Sequence, residues 1–80
     1  MSGNIKVEFT IEPFVEGIVP EYVRAAVSAL ENLGLAPEVG PFGTSFETDG
    51  TTVGRAVAAV MDAAYANGAT YVSVDSGPVG

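Results

Sequence analysis

Leu35-Ala36-Pro37-Glu38-Val39-Gly40-Pro41-Phe42-Gly43-Thr44-Ser45-Phe46-Glu47-Thr48 is the stretch on which the fold turns. Residues 35–39 and 43–48 flank Gly40-Pro41-Phe42. They read as two short strands joined by a tight connection, or as one long strand bent at a bulge. Gly40 and Gly43 allow backbone angles that other residues resist, and Pro41 stiffens the bend. Hydroxyls, an aromatic ring and a carboxylate then follow in Thr44, Ser45, Phe46 and Glu47. A turn with no other task would not need that much side-chain chemistry.

Upstream, Ile5, Val7, Phe9 and Ile11 alternate with Lys6, Glu8, Thr10 and Glu12, the period of a half-buried strand. Pro13 ends it by removing a ladder donor. Pro20 opens a helix where its missing N–H costs nothing. Val23, Ala26, Val27, Leu30 and Leu33 make its apolar stripe, and Gly34 is placed to cap it. Downstream, Asp49-Gly50 signals a turn, with Thr51 or Thr52 as helix cap. The second helix carries Val53, Val57, Val60, Met61 and Ala64 on one face and stops at Asn67-Gly68. Residues 70–75 form the last strand, with Val72 and Val74 inward and Tyr71, Ser73 and Asp75 outward. The tail, 76–80, is expected to be loose.

The order strand, helix, strand, strand, helix, strand predicts an α+β, ferredoxin-like βαββαβ sandwich. Its four-stranded antiparallel sheet carries two helices on one face. One domain over 1–80, with an ordered core of about 4–77, is all that this length allows. The other sheet face shows Glu8, Thr10, Glu12, Tyr71, Ser73 and Asp75, and an inward Phe46 adds Ser45 and Glu47 to it. That open face is the predicted seat of a ligand, a second subunit, or both.

Composition narrows the chemistry. Ten acids against Lys6, Arg24 and Arg55 give a net charge of −7, which argues against nucleic acid, anionic membranes and phosphorylated substrates. Most of those acids read as solvated surface, and the balance favours a cationic ligand. The chain has no cysteine and no histidine, so disulfides and the common soft metal sites are excluded. No run has the spacing of a calcium loop, and the glycines are not followed by the lysine of a phosphate loop. A core this small gains from association, and 48% apolar residues leave surface for a homo-oligomer. Met1 to Lys6 shows no export signal, so the expected compartment is cytoplasmic.

Catalytic candidates reduce to carboxylates, hydroxyls and tyrosines. Glu8 and Glu12 lie about 13 Å apart along one strand face, wider than the roughly 5–9.5 Å of a glycosidase pair. Phe14 and Phe42 are of a type that more often packs in a core than stacks on a ligand.

At this point the residues resemble a family. Val7-Glu8-Phe9-Thr10-Ile11-Glu12-Pro13-Phe14, then Gly40-Pro41-Phe42-Gly43-Thr44 with Glu47 three residues on, then Tyr71-Val72-Ser73 are similar to the small thiamine-binding proteins. These are also called the domain of unknown function 77 family. The resemblance covers roughly residues 4–77. It implies a ferredoxin-like fold that pairs into homodimers or homotetramers. It also implies binding of thiamine or its hydroxymethylpyrimidine moiety without catalysis and without a resident cofactor. By motif it marks Thr44 and Glu47 as ligand-facing and, more weakly, Glu8, Thr10 and Ser73 from the flanking strands. Tyr71, Phe42 or Phe46 could stack on the flat rings of such a ligand. Glu47 is followed by Thr48-Asp49-Gly50, where many members have Gly and then an acid, which touches the rim of the site.

Two other readings compete. A small dimeric enzyme of the α+β-barrel type could use Glu8 or Glu47 as its acid. Such enzymes lean on His, Asn or Trp, and here Asn4, Asn32 and Asn67 are expected outside the sheet face. A pure assembly module would cover its open face with a twin and bind no ligand.

Overall fold

The computed structural model describes residues 4–79. Its elements are β1 (Asn4–Glu12), α1 (Glu21–Asn32), β2 (Glu38–Gly40), β3 (Gly43–Asp49), α2 (Val53–Ala66) and β4 (Tyr71–Pro78). The sheet order is β2-β3-β1-β4, antiparallel throughout, so β1 and β3 lie side by side in the centre. This is the expected α+β, ferredoxin-like arrangement.

Val7, Phe9, Ile11, Phe46 and Val72 face the helices, which meet them with Tyr22, Ala26, Leu30, Ala56, Val60 and Ala64. Ala26, Ala56 and Ala64 are fully buried, and residues this small let the two helices approach closely. The expected stripes are on the correct faces but slightly rotated: Ala26 and Leu30, and Val60 and Ala64, are at the centre of the core, joined there by Tyr22 and Ala56. Val23, Leu33, Val53, Val57 and Met61 pack at the margins of the core. Tyr22 was missing from the expected stripe. It buries its ring, and its hydroxyl donates to the Pro13 carbonyl, as a buried phenol requires.

Gly40 pairs with Gly43, so Pro41 and Phe42 form a two-residue hairpin connection and no bulge replaces it. β2 is shorter than expected. The amide of Gly34 donates to the Glu31 carbonyl at 2.9 Å and that of Leu35 to the Leu30 carbonyl at 3.1 Å, closing α1 in a Schellman motif with Gly34 at φ +83°. Leu35 thus spends its donor on the helix and Pro37 has none, so the ladder begins only at Glu38.

Two further corrections concern termini of elements. The segment expected to be loose after Asp75 continues as β4 to Pro78, because Ser76, Gly77 and Pro78 pair with Val7, Lys6 and Ile5. Gly80, like residues 1–3, lies outside the described residues. Thr52 occupies the N-cap of α2 but makes no side-chain cap bond. Asp49 organises that turn instead, its Oδ1 accepting from the Thr51 amide at 3.0 Å and the Thr51 hydroxyl at 2.8 Å. No helix among the described residues is long and apolar enough to cross a membrane.

Candidate functional site

Register fixes what the open face presents. Glu8 on β1 stands opposite Ser45 on β3 and Asp75 on β4, and Ser45 stands opposite Glu38 on β2. Glu38, Ser45, Glu8 and Asp75 therefore form one row across all four strands, with neighbouring positions about 5 Å apart. One step along, Thr10 stands opposite Ser73, giving a pair of hydroxyls beside the acids. Like charges directly opposite each other destabilise a sheet. Glu8 against Asp75 is such a pair, a local cost with no packing benefit visible around it.

These residues border an open concavity of about 760 Å³. Glu8, Thr10, Ser73 and Asp75 make its floor, Glu38 and Ser45 one side, and the hairpin from Val39 to Thr44 its wall. Phe42 stands at the hairpin tip with 91% of its surface exposed. Phe14 is 73% exposed as well, so neither ring belongs to the core as their type had suggested. The hairpin comes close to β1 only because residue 43 is glycine: a Cβ there would lie 3.1 Å from the Phe9 carbonyl oxygen and 3.1 Å from Thr10 Cγ2.

Of the six residues marked in the sequence, Glu8, Thr10, Phe42 and Ser73 meet around this concavity. Thr44 borders it through its position in the hairpin. Its side chain, however, is 96% buried in the row of Phe9 and Val39, on the helix side of the sheet. Glu47 is on the open face one row away, opposite Lys6, and accepts from Asn4 Nδ2 at 3.5 Å. Asn4 is accordingly a sheet-face residue, contrary to expectation. Sequence reading did not single out Glu38 and Asp75 as site residues. Only the strand register brings them beside Glu8, although the period-two alternation already put Asp75 on the correct face.

The chemistry of the concavity is one-sided. Three carboxylates line it, and none of Lys6, Arg24 and Arg55 does. Among the described residues no three acids converge closely enough to hold a metal ion. Three separated carboxylates, the hydroxyls of Thr10, Ser45 and Ser73 and one bare aromatic ring suit a flat organic cation that also donates hydrogen bonds.

The fold and this acidic, ring-flanked hollow define a small ferredoxin-like α+β protein with a candidate pocket for a cationic organic ligand. The model of the thiamine-binding protein family matches residues 7–75, and the chain belongs to that family. Its fold is shared by a domain of unknown function 77 protein from Bacillus cereus, with 21% identity over 95% of this chain and 74% of that one, at a TM-score of 0.67. It is also shared by a candidate thiamine biosynthesis/salvage protein from Thermotoga maritima, with 21% identity over 92% and 80% of the two chains, at 0.65. A Streptococcus pneumoniae protein aligns over 100% of this chain and 88% of its own, with 21% identity, at 0.64. No curated protein sequence matches the chain.

Proposed function

We propose that the open-face concavity binds thiamine, or its hydroxymethylpyrimidine moiety, and that the protein is a carrier or buffer of the vitamin rather than an enzyme. The observation that carries this reading is the convergence of Glu8, Thr10, Phe42 and Ser73 on one hollow whose only charges are negative. Its volume falls within the roughly 300–1,000 Å³ of small-molecule sites. The thiazolium carries a permanent positive charge, which the row of Glu38, Glu8 and Asp75 attracts. The aminopyrimidine presents donors and acceptors in one plane, which Glu8, Thr10 and Ser73 match. Phe42 offers its face to either ring. Thiamine is the ligand here and no resident cofactor is invoked.

A diphosphate would meet the same carboxylates with no basic residue to offset them. The free vitamin and its pyrimidine are therefore preferred over thiamine diphosphate. The working form is a cytoplasmic homodimer or homotetramer, in keeping with the small core and with the exposed apolar side chains of Phe14, Ile18, Val19 and Val39.

Calorimetric titration with thiamine, hydroxymethylpyrimidine and thiamine diphosphate tests the reading. Saturable heat with the first two, lost or weakened in Glu8→Gln, is expected. Equal affinity for thiamine and its diphosphate would sink the electrostatic part. No heat and no thermal shift with any of the three would sink the whole.

A further inference from the structure

Asn4, Asn32 and Asn67 carry the only side-chain amides in this sequence, which has no glutamine. The residue that follows each one decides how easily its amide is attacked by the next backbone nitrogen. Ile5 and Leu33 crowd that nitrogen with a side chain, whereas Gly68 puts no Cβ beside it. The Leu33 amide is also engaged, donating to the Leu30 carbonyl at 3.0 Å. Asn67 is the C-cap of α2, and both it and Gly68 are exposed. Nothing stands within 4 Å of the place that a Gly68 Cβ would take, so solvent surrounds this peptide bond.

We propose that Asn67 is a site of spontaneous deamidation, and that the closed end of α2 sets its rate. In the reaction the Gly68 nitrogen bonds to Asn67 Cγ and the Cγ–Nδ2 bond breaks. Ammonia leaves with the proton that the Gly68 nitrogen gives up. Water then opens the cyclic imide. Cleaving its bond to Cγ leaves aspartate, and cleaving its bond to the main-chain carbonyl carbon leaves isoaspartate.

The fold holds these reactants apart. Ring closure needs the Gly68 nitrogen eclipsed with Asn67 Cβ about the Cα–C bond, and at the Asn67 ψ of 20° that nitrogen points away from Cβ. Asn67 Nδ2 donates to the Ala63 carbonyl at 2.8 Å, which ties the leaving group to the preceding turn. The Ala69 amide donates to the Ala64 carbonyl at 3.1 Å and closes the backbone around the pair. Attack therefore waits for the last turn of α2 to open, and helix ends open at far lower cost than cores do.

The change would reach β4. Either product puts a carboxylate at the C-terminal end of α2, where the macrodipole disfavours negative charge, and the donor to Ala63 departs with the ammonia. Isoaspartate also lengthens the main chain by one carbon just ahead of Thr70. The Thr70 amide and hydroxyl both donate to the Glu12 carbonyl, at 2.8 and 3.1 Å, and tie the start of β4 to the end of β1. Deamidation at the helix end thus slackens the end of the strand that carries Ser73.

Incubating the full chain for weeks at mildly alkaline pH, native and in unfolding guanidinium chloride, tests both halves of the proposal. Trypsin cuts after Lys6, Arg24 and Arg55, so Asn4, Asn32 and Asn67 fall in separate peptides, 1–6, 25–55 and 56–80. The mass gain of an amide turned to an acid is expected in 56–80 alone, together with labelling by an isoaspartate-specific methyltransferase. Asp49-Gly50 offers the same attack in 25–55, but isomerisation of an aspartate leaves the mass unchanged. The unfolded chain should convert at least ~10-fold faster than the native one. Gly68→Ala, compared in denaturant so that strain in the native turn plays no part, should convert about 10-fold more slowly. Hydrogen exchange at the Ala69 and Thr70 amides should be faster in the refolded product than in untreated protein. No mass gain in 56–80 under either condition, or a faster gain in 1–6 or 25–55, would overturn the assignment of the site. Equal rates in the native and unfolded chains would overturn the control by α2, and unaltered exchange at Ala69 and Thr70 the effect on β4.

Discussion

The hydroxyl of Tyr65, near the end of α2, accepts the outward amide of Val72, near the start of β4. A helix thereby supplies a hydrogen bond that the sheet edge lacks. Tyr65→Phe keeps the ring and removes only the acceptor. The expected loss is about 1 kcal/mol, the usual net worth of one such bond. For a domain of this size that is roughly 4–8 °C in the thermal midpoint. Hydrogen exchange at the Val72 amide should accelerate while that at Val74 stays as it is. An unchanged exchange rate at Val72 would mean the phenol does not hold that amide in solution.

Two glycines should respond in opposite directions. Gly43→Ala drives a methyl group against the Phe9 carbonyl oxygen and Thr10 Cγ2, and displacing the hairpin from β1 is expected to cost about 1–3 kcal/mol. Gly54 sits in the first turn of α2 with nothing within 4 Å of a Cβ. Gly54→Ala should stabilise by about 0.4–1 kcal/mol, through the lower entropy of the unfolded chain. Urea midpoints of the two variants against wild type decide the matter.

Acid stability carries a signature of Asp49. Hydrogen bonds from the Thr51 side chain, then the Thr52 side chain, hold its carboxyl below the ordinary value of 3.8. A carboxyl whose folded pKa is depressed adds stability above its unfolded value, and that stability drains away as pH falls through the folded one. Wild type should therefore lose stability below about pH 4 more steeply than Asp49→Asn. Parallel curves for the two proteins between neutral pH and pH 2 would remove Asp49 from the account.

Glu8 and Asp75 face each other as like charges, so replacing one should help the empty protein and harm the loaded one. Asp75→Asn is expected to raise the stability of the ligand-free chain by a few tenths of a kcal/mol. The same change should weaken thiamine binding about tenfold, the loss of one charge-assisted contact. A variant that loses both stability and affinity would show that the pair is structural.

Much of the fold could be read from local pattern. The alternation from Ile5 to Glu12 gave β1 and its two faces, and Gly34 and Gly68 ended the helices where expected. What escaped depended on hydrogen-bond partners that the strand pattern itself does not show. β2 shrank because the end of α1 consumed the Leu35 amide, and β4 lengthened because Lys6 and Ile5 were there to pair with Gly77 and Pro78. The candidate site divided along the same line. Glu8, Thr10 and Ser73 were legible because period two puts them on the open face. Thr44 was legible in the same way, since period two from an inward Phe46 turns it toward the helices, but the motif that contains it pointed to the ligand instead. Glu38 joins the acidic row through a three-residue strand whose register no local pattern announces.

In the site proposed above, the row of Glu38, Glu8 and Asp75 would draw in small cations generally, while the uncharged row beside it, where Thr10 and Ser73 stand opposite each other, would do more of the choosing. Strength of binding and choice of ligand would then fall largely on adjacent rungs of one sheet, with Glu8 contributing to both.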